Sequence, residues 1–467
     1  MVSADPILHF FTIIESQGGV IVKESPKLDL DLYIANYQGR TRFDRLLLIG
    51  RSSVPLCVDA LKAAIAEAKG GKDVQQYRDA WECIRIAAPT ESESQWDSAW
   101  VEKTDKANKL ETARLEAELK QYKNNLVKES IRIGLRDLGE HLEQIGDLAA
   151  ASDAYLRMRP EASTQAHIVG VAKHIIGIVL QRRDWPSVLA NVSKMLTGGM
   201  SDEEQKAHQP FQKLVAGIAN LHSDKFYEAA KNFLEVGDPS ICQGCNDVVS
   251  SNDVATYGGL LALASMDRSE LQSRVLDNSS FRNYLELEPH IRKAVSMFVN
   301  GRYSACLDIL ESYRADYLLD IHLQPHVRAI FSAIRNKCIV QYFIPFSCVT
   351  LDSMNKSFAK PGESLESELM TMIRSGVLKA RINTIDKLLV AVSTNDRVEM
   401  QTKGLETANN YEREALERIR RMNIAAADLE VKGPRKGVGN AMSGISGGET
   451  WFDDTRRQLS QAESSVG

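Results

Sequence analysis

Apolar residues recur at helical spacing along most of the chain, with polar residues between them. An early apolar run, residues 7–14, is too short to span a bilayer and has no basic region before it, so it predicts a docking or core segment. Residues 28–86 predict short amphipathic helices, interrupted at Gly70 and Gly71. A polar loop then leads into residues 100–127, whose Glu, Lys, Ala and Leu predict one long connector helix.

From about residue 129 the sequence repeats a helix-pair pattern. In the first unit, Gly139 lies in the first helix, Gly146 and Asp147 form the turn, and Ala151 and Tyr155 lie in the second helix. Small residues let two helices approach closely, and the aromatic ring fills the gap beneath the next pair. This order is typical of tetratricopeptide repeats, in which no unit buries its apolar face alone, so it predicts a superhelical array.

Three further units follow the pattern less strictly. Ala151, Val188 and Ala229, which follow the turns of the first three units, recur at roughly 40-residue intervals. Their turns and following positions are Asp184-Trp185 with Val188 and Val192, Lys225-Phe226 with Ala229 and Phe233 after Gly217, and Gly301-Arg302-Tyr303 with Cys306 and Leu310. An apolar helix at residues 253–268 contains Gly258 and Gly259. These glycines favour close helix contact over phosphate binding, because no G-x-G-x-x-G and no Lys-Ser/Thr follows.

The pattern changes after residue 320. Residues 328–342 predict a helix that ends before Pro345. Two shorter helices follow, around Leu351, Met354 and Phe358 and around Leu365, Leu369 and Ile373, with a turn at Pro361-Gly362 between them. Residues 378–382 and 387–391 then predict two strands around the turn 383–386. Helix, turn, helix and β-hairpin together predict a winged helix.

A narrow apolar stripe follows the winged helix, at Leu405, Ala408, Ala415, Ile419, Met422, Ala426 and Leu429. Such a stripe on an isolated helix needs a partner helix to cover it. The predicted fold class is mainly α, with tetratricopeptide-like repeats, a winged helix with a β-hairpin wing, and a C-terminal helix. The predicted domains are an N-terminal helical segment (1–99), connector helix and repeats (100–320), winged helix (321–400), C-terminal bundle helix (401–431) and a disordered Gly/Ser-rich tail (432–467).

Composition favours protein partners over nucleic acid. The 467 residues are 43% hydrophobic and 25% charged, as in an ordinary soluble globular protein, and the net charge of −5 gives no general attraction to polyphosphate. Seven scattered cysteines, an odd number, indicate a reducing compartment and small buried apolar side chains. No segment predicts a membrane span.

Nucleic-acid reading by the winged helix is disfavoured by charge. Its second helix offers Glu363, Glu366 and Glu368 against only Arg374, and these carboxylates would repel phosphate. The wing is more basic, and its cations are interpreted as a solvated rim or as protein contacts: Lys379, Arg381 and Lys387.

Four long segments carry a resemblance to a known family: residues 28–52, 126–148, 253–287 and 317–341. With the winged helix that directly follows the repeats, they resemble the PCI module shared by the proteasome lid, the COP-nine signalosome and eukaryotic translation initiation factor three. Within that group the chain is most similar to the signalosome branch. It departs from the family pattern at the second wing strand, residues 386–390, and at its ends.

The resemblance implies a non-catalytic scaffold. The signalosome removes a ubiquitin-like modifier from cullins (deneddylation) and so regulates cullin-RING ubiquitin ligases, and its zinc site belongs to a metalloprotease-type subunit. The implied partners are the other PCI and metalloprotease-type signalosome subunits and cullin-RING ligases, in cytoplasm and nucleus. PCI subunits join through winged-helix edges and a C-terminal helix bundle, which makes these the candidate interface residues: Leu378, Ile382, Leu388, Val390, Leu405, Ala415, Ile419, Met422 and Leu429.

The chain carries no zinc-isopeptidase motif, which needs two histidines one residue apart and a downstream Asp. His322 and His326 are four residues apart, but Pro325 lies between them, so surface or capping histidines are predicted. Cys242 and Cys245 form a single C-x-x-C that no second pair completes, so loop cysteines are predicted. No catalytic, cofactor or metal site is therefore predicted.

Three alternatives remain open from the sequence. The nearest is a scaffold subunit of the proteasome regulatory lid, which co-purification with cullins would distinguish. A PCI-type nucleic-acid binding module would show salt-sensitive binding. An enzyme with an unrecognised site would hydrolyse cullin conjugates on its own.

Overall fold

The computed structural model describes residues 6–196, 202–237, 247–359, 364–392, 396–427 and 429. It divides into two compact units, Met1–Val392 and Ser393–Gly467. The first unit contains the N-terminal helices, the repeats and one small sheet. The second is, in its described part, one long helix. The predicted mainly α fold is confirmed, whereas the domain boundaries predicted within these units stay predictions.

The N-terminal helices share one apolar core. They are α1 (Pro6–Ser16), α2 (Leu30–Ala35), α3 (Gly39–Ser52), α4 (Cys57–Gly70) and α5 (Val74–Ala87), with a 3-10 turn at Ser92–Ser94. The carboxylates of Asp29 and Asp73 accept the first free N–H groups of α2 and α5, which fixes where these helices begin. The predicted apolar run lies in α1, where Phe10 and Phe11 are buried in that core.

The repeat region is built of helices packed against their neighbours in the chain. They are α6 (Ser98–Asn125), α7 (Lys128–Ile145), α8 (Leu148–Met158), α9 (Gln165–Gln181), α10 (Trp185–Leu196), α11 (Asp202–His222), α12 (Phe226–Leu234), α13 (Ser251–Ser265), α14 (Arg268–Glu270), α15 (Ser279–Leu287), α16 (Pro289–Val299), α17 (Tyr303–Ser312) and α18 (Arg314–Leu318). A 3-10 turn covers Arg159–Glu161, and a π-helical turn, Leu271–Leu276, continues α14.

The glycines of the repeats lie where two helices touch. A Cβ on Gly139 would lie 2.5 Å from Cε1 of Tyr155, and one on Gly217 would lie 2.8 Å from Cζ of Phe233. In α13, a Cβ on Gly259 would lie 2.2 Å from Cγ2 of Ile291. Any larger residue would therefore push the helices apart. The predicted close approach of helices at Gly139 and Gly217 is present. The aromatic ring, predicted beneath the next pair, packs on the glycine of its own pair, and Tyr155 also stacks on His174 of α9.

The winged helix contains helices α19 (Val327–Phe343), α20 (Leu351–Phe358) and α21 (Glu366–Arg374) and strands β1 (Cys348–Thr350), β2 (Ala380–Asn383) and β3 (Leu388–Ala391). The strands form one antiparallel sheet in the order β1-β3-β2. The sequence predicts β2 and β3 but misses β1, because three residues after a helix end are too few to show a period of two. Leu351, Met354 and Phe358 are buried, as the helix pattern predicts.

The last helix is α22 (Asp396–Ala426), which agrees with the predicted C-terminal helix, but Leu429, predicted in its apolar stripe, lies beyond the end of α22. Three sequence predictions lie outside the described residues: the turn at Pro361-Gly362, the Cys242–Cys245 pair, and the tail from residue 432.

Candidate functional site

Of the two hairpin strands, only β2 lies at an edge of the winged-helix sheet, and β1 forms the other edge. In the register, Val390 of β3 lies opposite Arg381 of β2 and opposite Cys348 of β1. The backbone of β3 is therefore paired on both sides, by β2 and by the unpredicted strand β1. Only β2 remains as the hairpin's outer strand.

The backbone N–H of Ile382 points away from the sheet. Along β3, Ala391 donates its N–H to Ser347 on the β1 side, and Val392 donates to Lys379 on the β2 side. N–H directions alternate along a strand, so Leu389 also faces β1. Ile382, which lies opposite Leu389, is then in a non-hydrogen-bonded pair. Among the described residues no strand pairs with its N–H or C=O, so both can bond to a strand of another chain.

The predicted interface residues differ widely in exposure. Leu378 is buried in the core, Ile382 and Leu388 are half-buried, and Val390 is exposed at the sheet surface. On the C-terminal segment Ala415 is half-buried, whereas the other four predicted positions are exposed: Leu405, Ile419, Met422 and Leu429. Their role in binding partners stays a prediction. As placed, the exposed positions can contact another chain directly, and Leu378 can act only by supporting the sheet.

A buried ionic network joins distant parts of the first unit, and sequence reasoning missed it. Arg45 on α3 is fully buried, and its guanidinium donates to Asp320 at 2.6 Å, to Asp253 at 3.0 Å and to the hydroxyl of Tyr257 at 3.2 Å. It also donates to the hydroxyl of Tyr33. The network therefore ties the N-terminal helices to α13 and to the segment before the winged helix.

Tyrosine hydroxyls complete this network. Tyr37 donates to Asp253 at 2.8 Å, its ring lies 4.1 Å from the Arg45 guanidinium carbon, and Tyr257 donates to Asp320 at 2.7 Å. Burial raises the pKa of Asp253 to about 6, and burial also raises the pKa of Tyr37 and Tyr257 well above the ordinary value. Burial would raise the pKa of Asp320 too, but Arg45 holds it below its usual range. A buried Arg among spaced carboxylates has no local sequence motif, so only the fold reveals it.

Three histidines form a second cluster where α11 meets the segment before α19. His222 Nε2 lies 3.1 Å from His322 Nδ1, and His326 Nε2 lies 3.3 Å from His222 Nδ1. The Trp185 indole stacks on the His222 ring at 3.9 Å. His322 is half-buried, because the rings of residues far apart in sequence pack around it: Trp185, His222 and Tyr257. Among the described residues, no group of His, Cys, Asp or Glu is arranged to hold a metal ion.

The histidine cluster predicts acid sensitivity of the fold. Burial lowers the pKa of His322 to about 3 and that of His222 to about 4, against about 6.5 in an unfolded chain. The contribution of the two neutral histidines to the free energy of unfolding is therefore fully present above about pH 6.5. It falls as the pH drops toward their pKa values in the folded chain, by up to about 1.4 kcal/mol per pH unit for each histidine. Denaturant unfolding between pH 7 and 5 measures this slope. The double variant His222→Gln/His322→Gln should flatten it, exposed His9→Gln should not, and an unchanged slope in the double variant would contradict the assignment.

The described cysteines are free thiols. Cys57, Cys83, Cys306 and Cys338 are buried, as predicted for small apolar side chains, and Cys348 is exposed on the edge strand β1. In the described part of the chain, no helix is both long and apolar enough to cross a bilayer.

Helical repeats that end in a three-stranded winged helix define the class: this is a PCI-domain protein. The PCI domain family matches residues 310–392, and the family described as 26S proteasome subunit RPN7 matches residues 97–274. Three curated relatives are named COP9 signalosome complex subunit 1. The relative from Neurospora crassa is 52% identical over an alignment that covers 92% of this chain and 95% of the relative. The relative from Emericella nidulans is 51% identical, covering 88% of this chain and 85% of the relative, and that from Arabidopsis thaliana is 34% identical, covering 88% and 92%.

The chain belongs to the COP9 signalosome complex subunit 1 family. The predicted signalosome branch is thereby confirmed. The alternative of a proteasome-lid subunit is disfavoured, because these relatives align over nearly their whole length. The family name implies a complex with other subunits. Membership and the PCI domain fit a non-catalytic subunit.

Proposed function

We propose that the chain is a non-catalytic scaffold that supports removal of a ubiquitin-like modifier from cullins and so regulates cullin-RING ubiquitin ligases. The isopeptidase belongs to another subunit, and the complex works in cytoplasm and nucleus. The observation that carries the proposal is 52% identity, over 92% of this chain, to a relative named COP9 signalosome complex subunit 1. Two surfaces support it: the free backbone of β2 and the exposed apolar stripe of α22.

The proposal is tested by comparing the chain alone with the chain in its complex. Material purified through a tag on the chain should hydrolyse a cullin conjugate and contain metalloprotease-type and PCI subunits. The recombinant chain alone should not hydrolyse it. If the complex recovered from cells left the conjugate intact while a known isopeptidase cleaved it, the proposed role in deneddylation would be wrong.

A proline at position 382 should weaken assembly without unfolding the sheet. Ile382→Pro removes an N–H that none of the described strands uses, so no ladder bond among them is lost. The loss of one or two hydrogen bonds to a partner strand should reduce affinity about tenfold. Recovery of partner subunits with the tagged chain measures the effect.

Ile382→Ala is the matched control, because it removes the half-buried side chain but keeps the N–H. Both variants should unfold at similar denaturant concentrations, and only the proline variant should lose partners. Equal partner recovery with both variants would show that β2 is not the assembling edge.

A further inference from the structure

A cavity of about 320 Å³ opens where α2, the start of α13, the start of α16 and residues 313–323 meet. Aromatic rings form much of its lining, among them Tyr33, Tyr313, Tyr317 and His290. These residues come from parts of the chain that are almost 300 positions apart, so the cavity exists only in the folded first unit. Aromatic faces attract cations because the ring quadrupole is negative above its plane.

The cavity carries an excess of negative charge. Five carboxylates line it. Arg45 binds two of them, Lys27 also lines the cavity, and His290 Nδ1 lies 3.2 Å from a carboxylate oxygen of Glu288. Counting histidine as neutral, five negative charges stand against the two positive charges of Arg45 and Lys27, an excess of three. Glu288 accepts from the amide of Asn252 at 2.8 Å, and Asp316 accepts from the backbone N–H of Lys27 at 2.8 Å. Such neutral donors orient a carboxylate without cancelling its charge.

An alkylammonium already occupies one aromatic face of this cavity. Nζ of Lys27 lies 3.9 Å from the ring centroid of Tyr313 and donates to the hydroxyl of Ser312 at 3.1 Å. The His290 ring stacks on the same tyrosine at 3.9 Å, so Lys27 takes the face that remains. Lys27 is exposed to solvent, and its flexible stem can leave the face without disturbing the fold.

We propose that this cavity is a docking site for a basic side chain, lysine or arginine, of a protein partner, and that Lys27 is an internal occupant displaced on docking. The side chain of Leu32, 71% exposed, lies at the same cavity and offers an apolar contact beside the cation site. The partner segment therefore pairs a basic residue with apolar neighbours. This surface is distinct from the β2 edge and does not depend on it.

The test measures binding of labelled peptides to the full-length chain by fluorescence anisotropy. The probe is a capped Leu-Arg-Leu-Arg-Leu peptide, and the comparison is the same peptide with glutamine in place of arginine. The arginine peptide should bind and the glutamine peptide should not. Lys27→Ala should tighten binding about three- to tenfold, because a competing cation leaves the Tyr313 face. Lys23→Ala, an exposed lysine in the same segment but outside the cavity, should change nothing.

A second variant removes charge without removing structure. Asp29→Asn keeps a good cap for α2 and should weaken binding about three- to tenfold. Equal binding of both peptides, or affinities unchanged by Lys27→Ala and Asp29→Asn, would overturn the proposal. Spermidine that bound as tightly as the arginine peptide would also overturn it, in favour of a small-cation site. The peptide test uses the isolated chain. A negative result in it can therefore be distinguished from a failure to recover an active complex, which would count against the proposed function.

Discussion

Replacing Arg45 with methionine is expected to destabilise the chain by about 3–5 kcal/mol, the cost of leaving buried carboxylates without their cation. Arg45 is fully buried between Asp253 and Asp320, which are themselves only 5% and 6% exposed. Methionine fills a similar volume, so the loss of stability reflects the missing positive charge more than lost packing. Chemical denaturation of the full chain, followed by circular dichroism, measures the free energy of unfolding.

Arg42→Met on the same helix is the control. Arg42 pairs with Glu67 at 3.4 Å near the surface, where an ion pair contributes about 0–1 kcal/mol. Combining Arg45→Met with Asp253→Asn and Asp320→Asn should recover part of the loss, because the uncompensated charges are then gone. A loss for Arg45→Met no larger than that for Arg42→Met would mean that the network does not hold the N-terminal helices in place.

Placing a charge in the stripe of α22 is expected to release the chain from its complex. Ile419 lies in the middle of the exposed stripe, and Ile419→Glu should cost more than about 2 kcal/mol of binding, a loss of about 30-fold or more in affinity. Glutamate is a good helix former, so the helix itself should persist. Co-purification of partner subunits with the tagged variant measures the loss.

Asn410→Glu supplies the matched control for the stripe. Position 410 lies nine residues from position 419, which places it roughly 180° around the helix. The added charge is the same, and Asn410 is also exposed. It should leave co-purification intact. If the two variants behaved alike, the stripe would not be the bundling face.

Most of the fold could be predicted from the sequence because its signals are local. Gly139 and Tyr155 lie 16 residues apart in one helix pair, and their contact follows from helix geometry alone. The winged helix was likewise visible, except for β1, whose three residues carry no periodicity.

The buried sites could not be predicted for the opposite reason. Arg45 contacts residues 208 and 275 positions away, and His222 contacts a residue 100 positions away. Each is an ordinary polar residue in its own helix, and only packing of distant helices gives it a role. The exposed stripe of α22 was predictable because a helix face left uncovered shows directly in the spacing of apolar residues.

That the chain works only within a larger assembly is tested most directly by measuring the mass of the particle that contains it at natural expression levels. Gentle purification through a tag, followed by native mass measurement and peptide identification, should give a particle far above 51.9 kDa that contains other PCI and metalloprotease-type subunits. A single 51.9 kDa chain, fully functional without companions, would contradict this view.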